Sequence, residues 1–417
     1  MGIKLENWRE EGSFKDVCEK YSDVSRFIIL KTDVQRRGIE YSQEARKHID
    51  PEIHQLVHVE NPKNLREFID TPSGLLLRDG TSIIVNETVN YGIRTPYLID
   101  YEDGRFVIKD GGEFIEEVEL WEKPDYYGKK TSSGTPMENV VQARPQRLSI
   151  NPNLYCHFWA EGGMGCKFCM IGPNARFYRN DPETALVKIQ DIEETIREAA
   201  KQRGRNTTVC ACGGSILTGE ELFDDEVQMY IDVFKAVKRA LNAEQIKTQL
   251  ISSSFSKKQL QRIKDETGNL SYTTDLELPT RELFDWICPG KAKYLGYDEW
   301  KRRIYDAVDV FGKGNVNSQI VAGADLVQPN GFKTEEESIN AILERTEDLA
   351  AHGAGIITNV WMVTNTIIFR NFYPPSLEYY IRIIKGADEI RRKYGLEHYF
   401  DDYRRCGNHP NTDLSRI

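Results

Sequence analysis

The hydrophobic pattern of the chain changes near residue 140. Between residues 74 and 122, short segments of alternating apolar and polar residues are separated by the turn sequences RDG, EDG and KDGG. This period-two alternation with glycine turns predicts a small β-meander. Before it, residues 1 to about 70 are rich in charge and are typical of short surface helices. We therefore predict an N-terminal module of helices and a β-meander over residues 1–140.

Beyond residue 141, short apolar segments alternate with charged, helix-like segments. About six such pairs are present, and the first predicted helix begins with Asp181 as its N-cap and Pro182 at the first helical position. The alternation predicts an α/β fold, a partial or full (βα) TIM-like barrel over residues 141–385. Its functional loops would follow the carboxyl ends of the strands. The predicted strands are RLSI, TTVCA, IKTQLIS, LSYTTDLEL, NSQIVAGA and IITNVWMV.

Composition and charge argue against several classes of protein. The formal net charge is −10, and Lys and Arg are not clustered as they are in a groove that binds nucleic acid. No segment approaches the ~20 apolar residues of a membrane span, and the chain does not open with an apolar leader segment. Eight cysteines in 417 residues are far fewer than in a disulfide-stabilised domain. We predict a cytoplasmic protein with neither nucleic acid nor a membrane as partner.

Three cysteines form the strongest chemical signal in the sequence. Cys156 directly follows the first predicted strand, and Cys166 and Cys169 form a CxxC pair ten residues later. A CxxC pair directs both thiolates to one metal centre, and the glycine-rich loop before it can bring the third thiolate round. Three cysteines on a [4Fe–4S] cluster leave one of the four irons without a protein ligand. That iron would be open to another molecule.

The same three cysteines also suit a structural zinc site. CxxC is a common half of such sites, and His157, Cys210 or Cys212 could complete the four ligands. A zinc-stabilised α/β binding or hydrolytic protein is therefore the alternative. A third hypothesis is that the chain is an iron–sulfur electron carrier.

The position of the cysteines after the first barrel strand resembles the radical S-adenosylmethionine (radical SAM) superfamily. Members most often space these cysteines as CxxxCxxC, with an aromatic residue before the last one. Phe168 supplies that aromatic, whereas the first spacing is lengthened to Cx9C. The resemblance implies a [4Fe–4S] cluster on Cys156, Cys166 and Cys169 and S-adenosylmethionine (SAM) as a second cofactor. It further implies reductive cleavage of SAM to a 5′-deoxyadenosyl radical, which abstracts hydrogen from a substrate.

The resemblance also assigns SAM contacts to the ends of three later strands. The second strand ends in a GG element that matches the family's GGE-like segment for the amino group, with serine in place of the acid. The fourth strand ends at the family's ribose position, and the fifth at its adenine position. An ordinary turn from strand to loop, without any ligand, would explain the residues at each of these strand ends equally simply. The residues so assigned are Gly213, Gly214, Ser215, Glu277, Gly323 and Asp325.

Catalytic side chains are less clearly marked. Cys288 lies in the predicted loop after the fourth strand, where it could meet substrate or be a buried structural thiol. Residues 386–417 form a polar tail, in which Cys406 and His409 are candidates to act over the barrel mouth unless the tail only lies on the surface. The expected partners are a small-molecule substrate, such as a cofactor or natural-product precursor, and a reductant such as flavodoxin or ferredoxin.

Overall fold

The N-terminal part folds as helices beside a mixed β-sheet. The computed structural model describes residues 12–57, 71–85, 95–160, 163–172, 177–178, 180–362, 367–369, 374–396, 407–410 and 414. The first elements are α1 (Phe14–Lys20), α2 (Arg26–Arg37), β1 (Ile39–Tyr41), α3 (Gln43–His48), β2 (Leu75–Leu77), β3 (Ser82–Ile83), β4 (Tyr97–Glu102), β5 (Arg105–Asp110) and β6 (Glu113–Leu120).

The predicted β-meander is the centre of this sheet. Its strand order is β1-β4-β5-β6-β2-β3, and β4, β5 and β6 pair antiparallel in sequence. Gly104 and Gly112 form the turns of the two hairpins with φ of 84° and 91°, a backbone region that glycine adopts without steric cost. β1 joins β4 in parallel, although its segment was predicted to be helical.

The second part is an α/β unit with a seven-stranded sheet in the order β13-β12-β11-β10-β9-β8-β7. β8 to β13 pair in parallel, and β7 is an antiparallel strand at one edge. Because β7 and β13 do not pair, the sheet is an open partial barrel, which confirms the predicted fold class. Its elements are α4 (Met137–Val140), β7 (Val141–Ala143), β8 (Arg147–Ile150), α5 (Ile189–Ala199), β9 (Thr208–Cys212), α6 (Asp224–Leu241), β10 (Thr248–Ile251), α7 (Lys257–Thr267), β11 (Ser271–Thr273), α8 (Arg281–Ile287), α9 (Pro289–Tyr294), α10 (Tyr297–Phe311), β12 (Val316–Ala322), α11 (Glu335–Ala351), β13 (Gly355–Val360) and α12 (Leu377–Lys393).

The N-terminal module lies against the open side of this barrel. Helix α2 packs against β13 and α12, and its Gln35 side chain is buried. The Gln35 amide donates to the carbonyl of Ile84 at 3.2 Å and to that of Gly407 at 2.7 Å. One side chain thus joins two segments of the module to the C-terminal tail.

Several element boundaries differ from the sequence-based predictions. The first barrel helix begins at Ile189 and not at Asp181, because Pro182–Ala185 forms a separate 3-10 turn and Asp181 makes no side-chain cap. The short helices α8 and α9 and the strand β7 were not predicted. Helix α12 continues to Lys393, past residue 386, where the tail was predicted to begin.

No helix among the described residues combines the length and the apolar character that crossing a bilayer demands.

Candidate functional site

The three predicted cluster cysteines lie in the loop that follows the carboxyl end of β8. Cys156 precedes a 3-10 turn, His157–Trp159, whose first N–H donates to the Ser215 carbonyl at 2.9 Å. The N–H of Cys169 donates to the Cys166 carbonyl at 3.0 Å, a turn that brings the two CxxC residues together. All three cysteines are half-buried. We refer to residues 156–169 as the cysteine loop.

The three thiols act on one another electrostatically. Burial raises the pKa of Cys156 to about 11, and the Cys166 thiol contributes to the same rise. Burial raises the pKa of Cys169 strongly, and both Cys166 and Cys156 add to it. A hydrogen bond with Cys288, followed by burial, raises the pKa of Cys166. The loop therefore gathers three thiols in one place, where a bound metal centre would be needed to stabilise them as thiolates.

Helices α8 and α9, which the sequence did not predict, hold the cysteine loop through two backbone hydrogen bonds. The N–H of Lys167 donates to the Ile287 carbonyl at 3.0 Å, and the N–H of Gly290 donates to the Met164 carbonyl at 2.9 Å. A Cβ on Gly290 would lie 2.7 Å from that Met164 oxygen, so glycine is needed for this contact. Cys288, between α8 and α9, is fully buried, as a structural thiol would be, and its role toward substrate stays a prediction. Phe168 is partly buried and packs against the core.

The predicted GG element lies directly against the cysteine loop. The Gly214 N–H donates to the Asn153 carbonyl, and the Asn153 amide donates to the Gly214 carbonyl, both at 2.9 Å. A Cβ on Gly214 would lie 2.2 Å from the Tyr155 carbonyl oxygen. The glycine is therefore needed to pack the second strand end against the chain before Cys156. Ser215 is also within hydrogen-bonding reach of the Cys156 thiol, through its N–H and its hydroxyl.

Replacing Gly214 with Ala is therefore expected to disturb the cysteine loop. Backbone atoms must move to relieve the clash, at a cost of about 1–3 kcal/mol in the free energy of unfolding. We expect the variant to bind less than half the iron of the wild type after reconstitution. Iron per chain and urea unfolding measure the two effects. Gly12→Ala is the control, since its added Cβ would meet nothing closer than 3.5 Å; equal iron content in both variants would contradict the packing role.

Behind Ser215 lies a buried carboxylate that the sequence did not single out. Glu226, in the first turn of α6, accepts from the N–H groups of Ser253 and Ile216, each at 3.0 Å, and from the Ser253 hydroxyl at 2.8 Å. The Ser253 hydroxyl lies 2.8 Å from that of Ser215. Burial raises the pKa of Glu226 to about 7, although these hydrogen bonds lower it. Glu226 thus joins the loops after β9 and β10 beneath Ser215.

The fourth strand end carries the predicted ribose residue, Glu277, together with an unpredicted cation. Lys291 donates to the Glu277 carboxylate at 2.7 Å and to the Asp275 carbonyl at 2.8 Å. Glu277 has a φ of 70°, in the left-handed region that a residue with a side chain rarely adopts. Burial raises the pKa of Asp275 and the Glu277 carboxylate adds to the rise, while Lys291 lowers it. Two carboxylates and one ammonium group therefore share this strand end.

The barrel interior beside the cysteine loop is polar. Cys212 is exposed, and Cys210, two residues earlier on the same face of β9, is buried. Asp275 and Cys169 both act electrostatically on Cys212, so this interior surface adjoins the cysteines. Deeper in the same sheet, Arg147 donates to Gln249 at 3.0 Å, and Gln249 donates to Thr273 at 3.3 Å. Closed barrels usually fill this space with branched apolar side chains.

The fifth strand end does not present Asp325 to a ligand. Gly323 turns the chain with a φ of 102°. The fully buried Asp325 carboxylate then accepts from the Gly323 N–H at 3.1 Å, from the Ser338 hydroxyl at 2.5 Å and from the Tyr379 hydroxyl at 3.4 Å. Burial raises its pKa to about 6. Asp325 holds the loop onto α11 and α12, so its predicted contact with adenine is not supported.

The tail residue His409 lies away from the cysteine loop. It is buried, and burial lowers its pKa well below the usual value, with Arg147 and Lys31 lowering it further. Arg147 begins β8, whereas the cysteine loop follows the other end of that strand. His409 is therefore near the start of β8, and a role of the tail over the barrel mouth stays a prediction. Cys406 lies outside the described residues.

The zinc alternative requires four ligands about 2.0–2.3 Å from one ion. Across the part of the chain that the structure describes, no three His, Cys, Asp or Glu side chains converge closely enough to hold a single metal ion. His157 uses Nδ1 to accept from the Leu217 N–H at 3.3 Å. The thiols of the cysteine loop are electrostatic neighbours of one another.

Comparison with known proteins gives structural neighbours only. No family model and no curated protein matches the chain. A crystal structure of methylornithine synthase is similar over 61% of this chain and 70% of that chain, with 15% identity and a TM-score of 0.38. A radical SAM methyltransferase from Sphaerobacter thermophilus is similar over 96% of this chain and 98% of that chain, with 13% identity and a TM-score of 0.41.

Proposed function

We propose that this chain is a radical SAM enzyme that acts on a small molecule. The observation that carries the proposal is the grouping of Cys156, Cys166 and Cys169 at the carboxyl end of the first barrel strand, beside a polar interior. These cysteines would hold three irons of a [4Fe–4S] cluster, and SAM would bind the fourth. When bound, these cofactors supply a 5′-deoxyadenosyl radical that takes a hydrogen atom from the substrate.

The chain's own residues position the reactants. Ser215 and the backbone of Gly214 lie beside Cys156, and Gly213 lies beside Asn153, so that this segment can contact the methionine end of SAM. Glu277 is the candidate acceptor for the ribose hydroxyls, since one carboxylate accepts from both hydroxyls of a diol. Gly323, at the turn after β12, is the candidate for the adenine side. These residues follow three strands, β9, β11 and β12, so a nucleoside across the barrel mouth would meet them together.

The interior wall suits a polar substrate below the cofactor. Gln249 and Thr273 form a hydrogen-bonded row with Arg147, and Cys212 lies above that row on the same face. Polar walls bind polar groups by replacing their water contacts, while the barrel excludes bulk solvent from a radical. The reductant would be a small electron carrier such as flavodoxin or ferredoxin, and the setting the cytoplasm.

Anaerobic reconstitution with iron and sulfide tests the proposal. We expect about four irons and four sulfides per chain and, with SAM and dithionite, release of 5′-deoxyadenosine. Incubation with deuterium-labelled cell extract would then transfer label into 5′-deoxyadenosine and identify the substrate C–H bond. A colourless protein with one zinc per chain would refute the proposal in favour of the zinc alternative. A four-iron protein that leaves SAM intact would favour an electron carrier.

A further inference from the structure

Lys291 is a buried cation whose position is tied to the cysteine loop. It follows Gly290, whose N–H bonds to the Met164 carbonyl at 2.9 Å. Lys291 is only 8% exposed, and its ammonium group lies 4.3 Å from the centroid of the Trp300 ring. The thiols of Cys166 and Cys288 are among its electrostatic neighbours. A charge so enclosed acts on nearby groups with little screening by solvent.

The partners of Lys291 hold it at the barrel mouth. Its ammonium bonds to the Glu277 carboxylate at 2.7 Å and to the Asp275 carbonyl at 2.8 Å. Glu277 is 7% exposed and keeps a left-handed backbone to make this contact. Burying an ion pair and straining a strand end both oppose folding. The buried ion pair and the strained strand end both lie beside the cysteine thiols. A fixed charge at that place can act on a metal centre that the thiols bind.

We propose that Lys291 raises the reduction potential of the cluster on the cysteine loop, and that Glu277 partly offsets it. This inference rests on the proposed function. Reduction adds one negative charge to the cluster, so a nearby fixed cation stabilises the reduced form and a nearby carboxylate opposes it. Lys291 acts through space and contacts neither substrate nor cofactor. It would set how readily the cluster accepts the electron that the reaction requires.

The test is a redox titration of the reconstituted full-length protein, followed by electron paramagnetic resonance and without SAM. Lys291→Met is expected to lower the reduced-to-oxidised ratio at a fixed potential about tenfold, which is a shift of about 59 mV for one electron. Glu277→Gln is expected to shift the midpoint the other way. Lys291→Arg keeps the charge and is expected to stay near the wild type. Lys257→Met, which breaks an exposed 2.7 Å pair with Asp309, is the control and is expected to leave the midpoint unchanged.

Midpoint shifts of opposite sign separate a charge effect from damage to the fold. Damage to the fold would not reverse the direction of the shift when a negative charge is removed in place of a positive one. Equal midpoints in all variants, or shifts of Lys291→Met and Glu277→Gln in the same direction, would overturn the inference while leaving the proposed function intact. If Lys291→Met does not retain its cluster, Glu277→Gln decides: a higher midpoint supports the inference, and an unchanged one overturns it. A wild-type chain that assembles no four-iron cluster would instead refute the proposed function itself.

Discussion

Cys166→Ala and Cys169→Ala are each expected to abolish cluster binding and to reduce SAM cleavage to the background rate. Each removes one of only three thiolates of the cluster, and Cys288, which lies beside Cys166, is fully buried behind the loop. Two thiolates hold a four-iron cluster poorly, because the remaining irons must then be ligated by solvent. Iron and sulfide content, visible absorbance and chromatography of 5′-deoxyadenosine measure the loss.

Cys18→Ala is the matched control for these variants. Cys18 lies in α1 of the N-terminal module and is half-buried like the three cluster cysteines. We expect it to retain full cluster content and SAM cleavage. If Cys166→Ala or Cys169→Ala kept four irons and wild-type cleavage, the assignment of the cluster ligands would be wrong, and another thiol would have to be the third ligand.

Stability is expected to fall as the pH rises from about 4.5 to about 7 through the titration of Glu226. Its pKa is about 7 in the folded protein, raised by burial from 4.5, so in this interval the folded state keeps a proton that the unfolded state has released. Unfolding then releases a proton and becomes more favourable as pH increases. A shift of that size corresponds to roughly 3 kcal/mol. Glu226→Gln cannot ionise and lacks this pH-dependent contribution, although its amide NH2 replaces an oxygen that accepts from a backbone N–H.

Urea unfolding of wild type and Glu226→Gln at pH 5 and pH 8 isolates the effect, because all other titrating groups are common to both proteins. We expect the free energy of unfolding of the wild type, relative to that of Glu226→Gln, to fall by roughly 2–3 kcal/mol between pH 5 and pH 8. Glu221→Gln is the control, since Glu221 is exposed and pairs with Lys258 at 2.9 Å. A difference between wild type and Glu226→Gln that does not change with pH would contradict a neutral buried Glu226.

Much of the barrel could be predicted from the sequence because its strands are short apolar runs between amphipathic helices. The strands predicted from RLSI, TTVCA and NSQIVAGA correspond to β8, β9 and β12 within one or two residues. The helices α8 and α9 were missed because DWICPGK contains proline and glycine and resembles a loop. β7 was missed because its three residues lie in a polar connector, and antiparallel pairing with β8 supplies what its own pattern lacks.

For the candidate site too, some features could be predicted from the sequence and others could not. Spacing alone singled out the cysteine loop, since two thiols three residues apart and a third beyond a glycine-rich segment have few structural uses in a chain with few cysteines. Position at a strand end, in contrast, could not distinguish Asp325 from a residue that faces a ligand. The Asp325 side chain is turned toward α11 and α12. The sequence could not place His409 either, since its position depends on how the tail packs around the barrel.

By itself, the sequence determined the strand–helix order, the three-thiol motif and its place after the first barrel strand, because each is encoded in local spacing. Only the tertiary structure brought Glu226 beneath Ser215, Lys291 against Glu277 and α9 against the cysteine loop. These contacts join residues far apart in the chain. They depend on how helices pack over strand ends, where burial and complementary charge decide which of many similar polar side chains face inward.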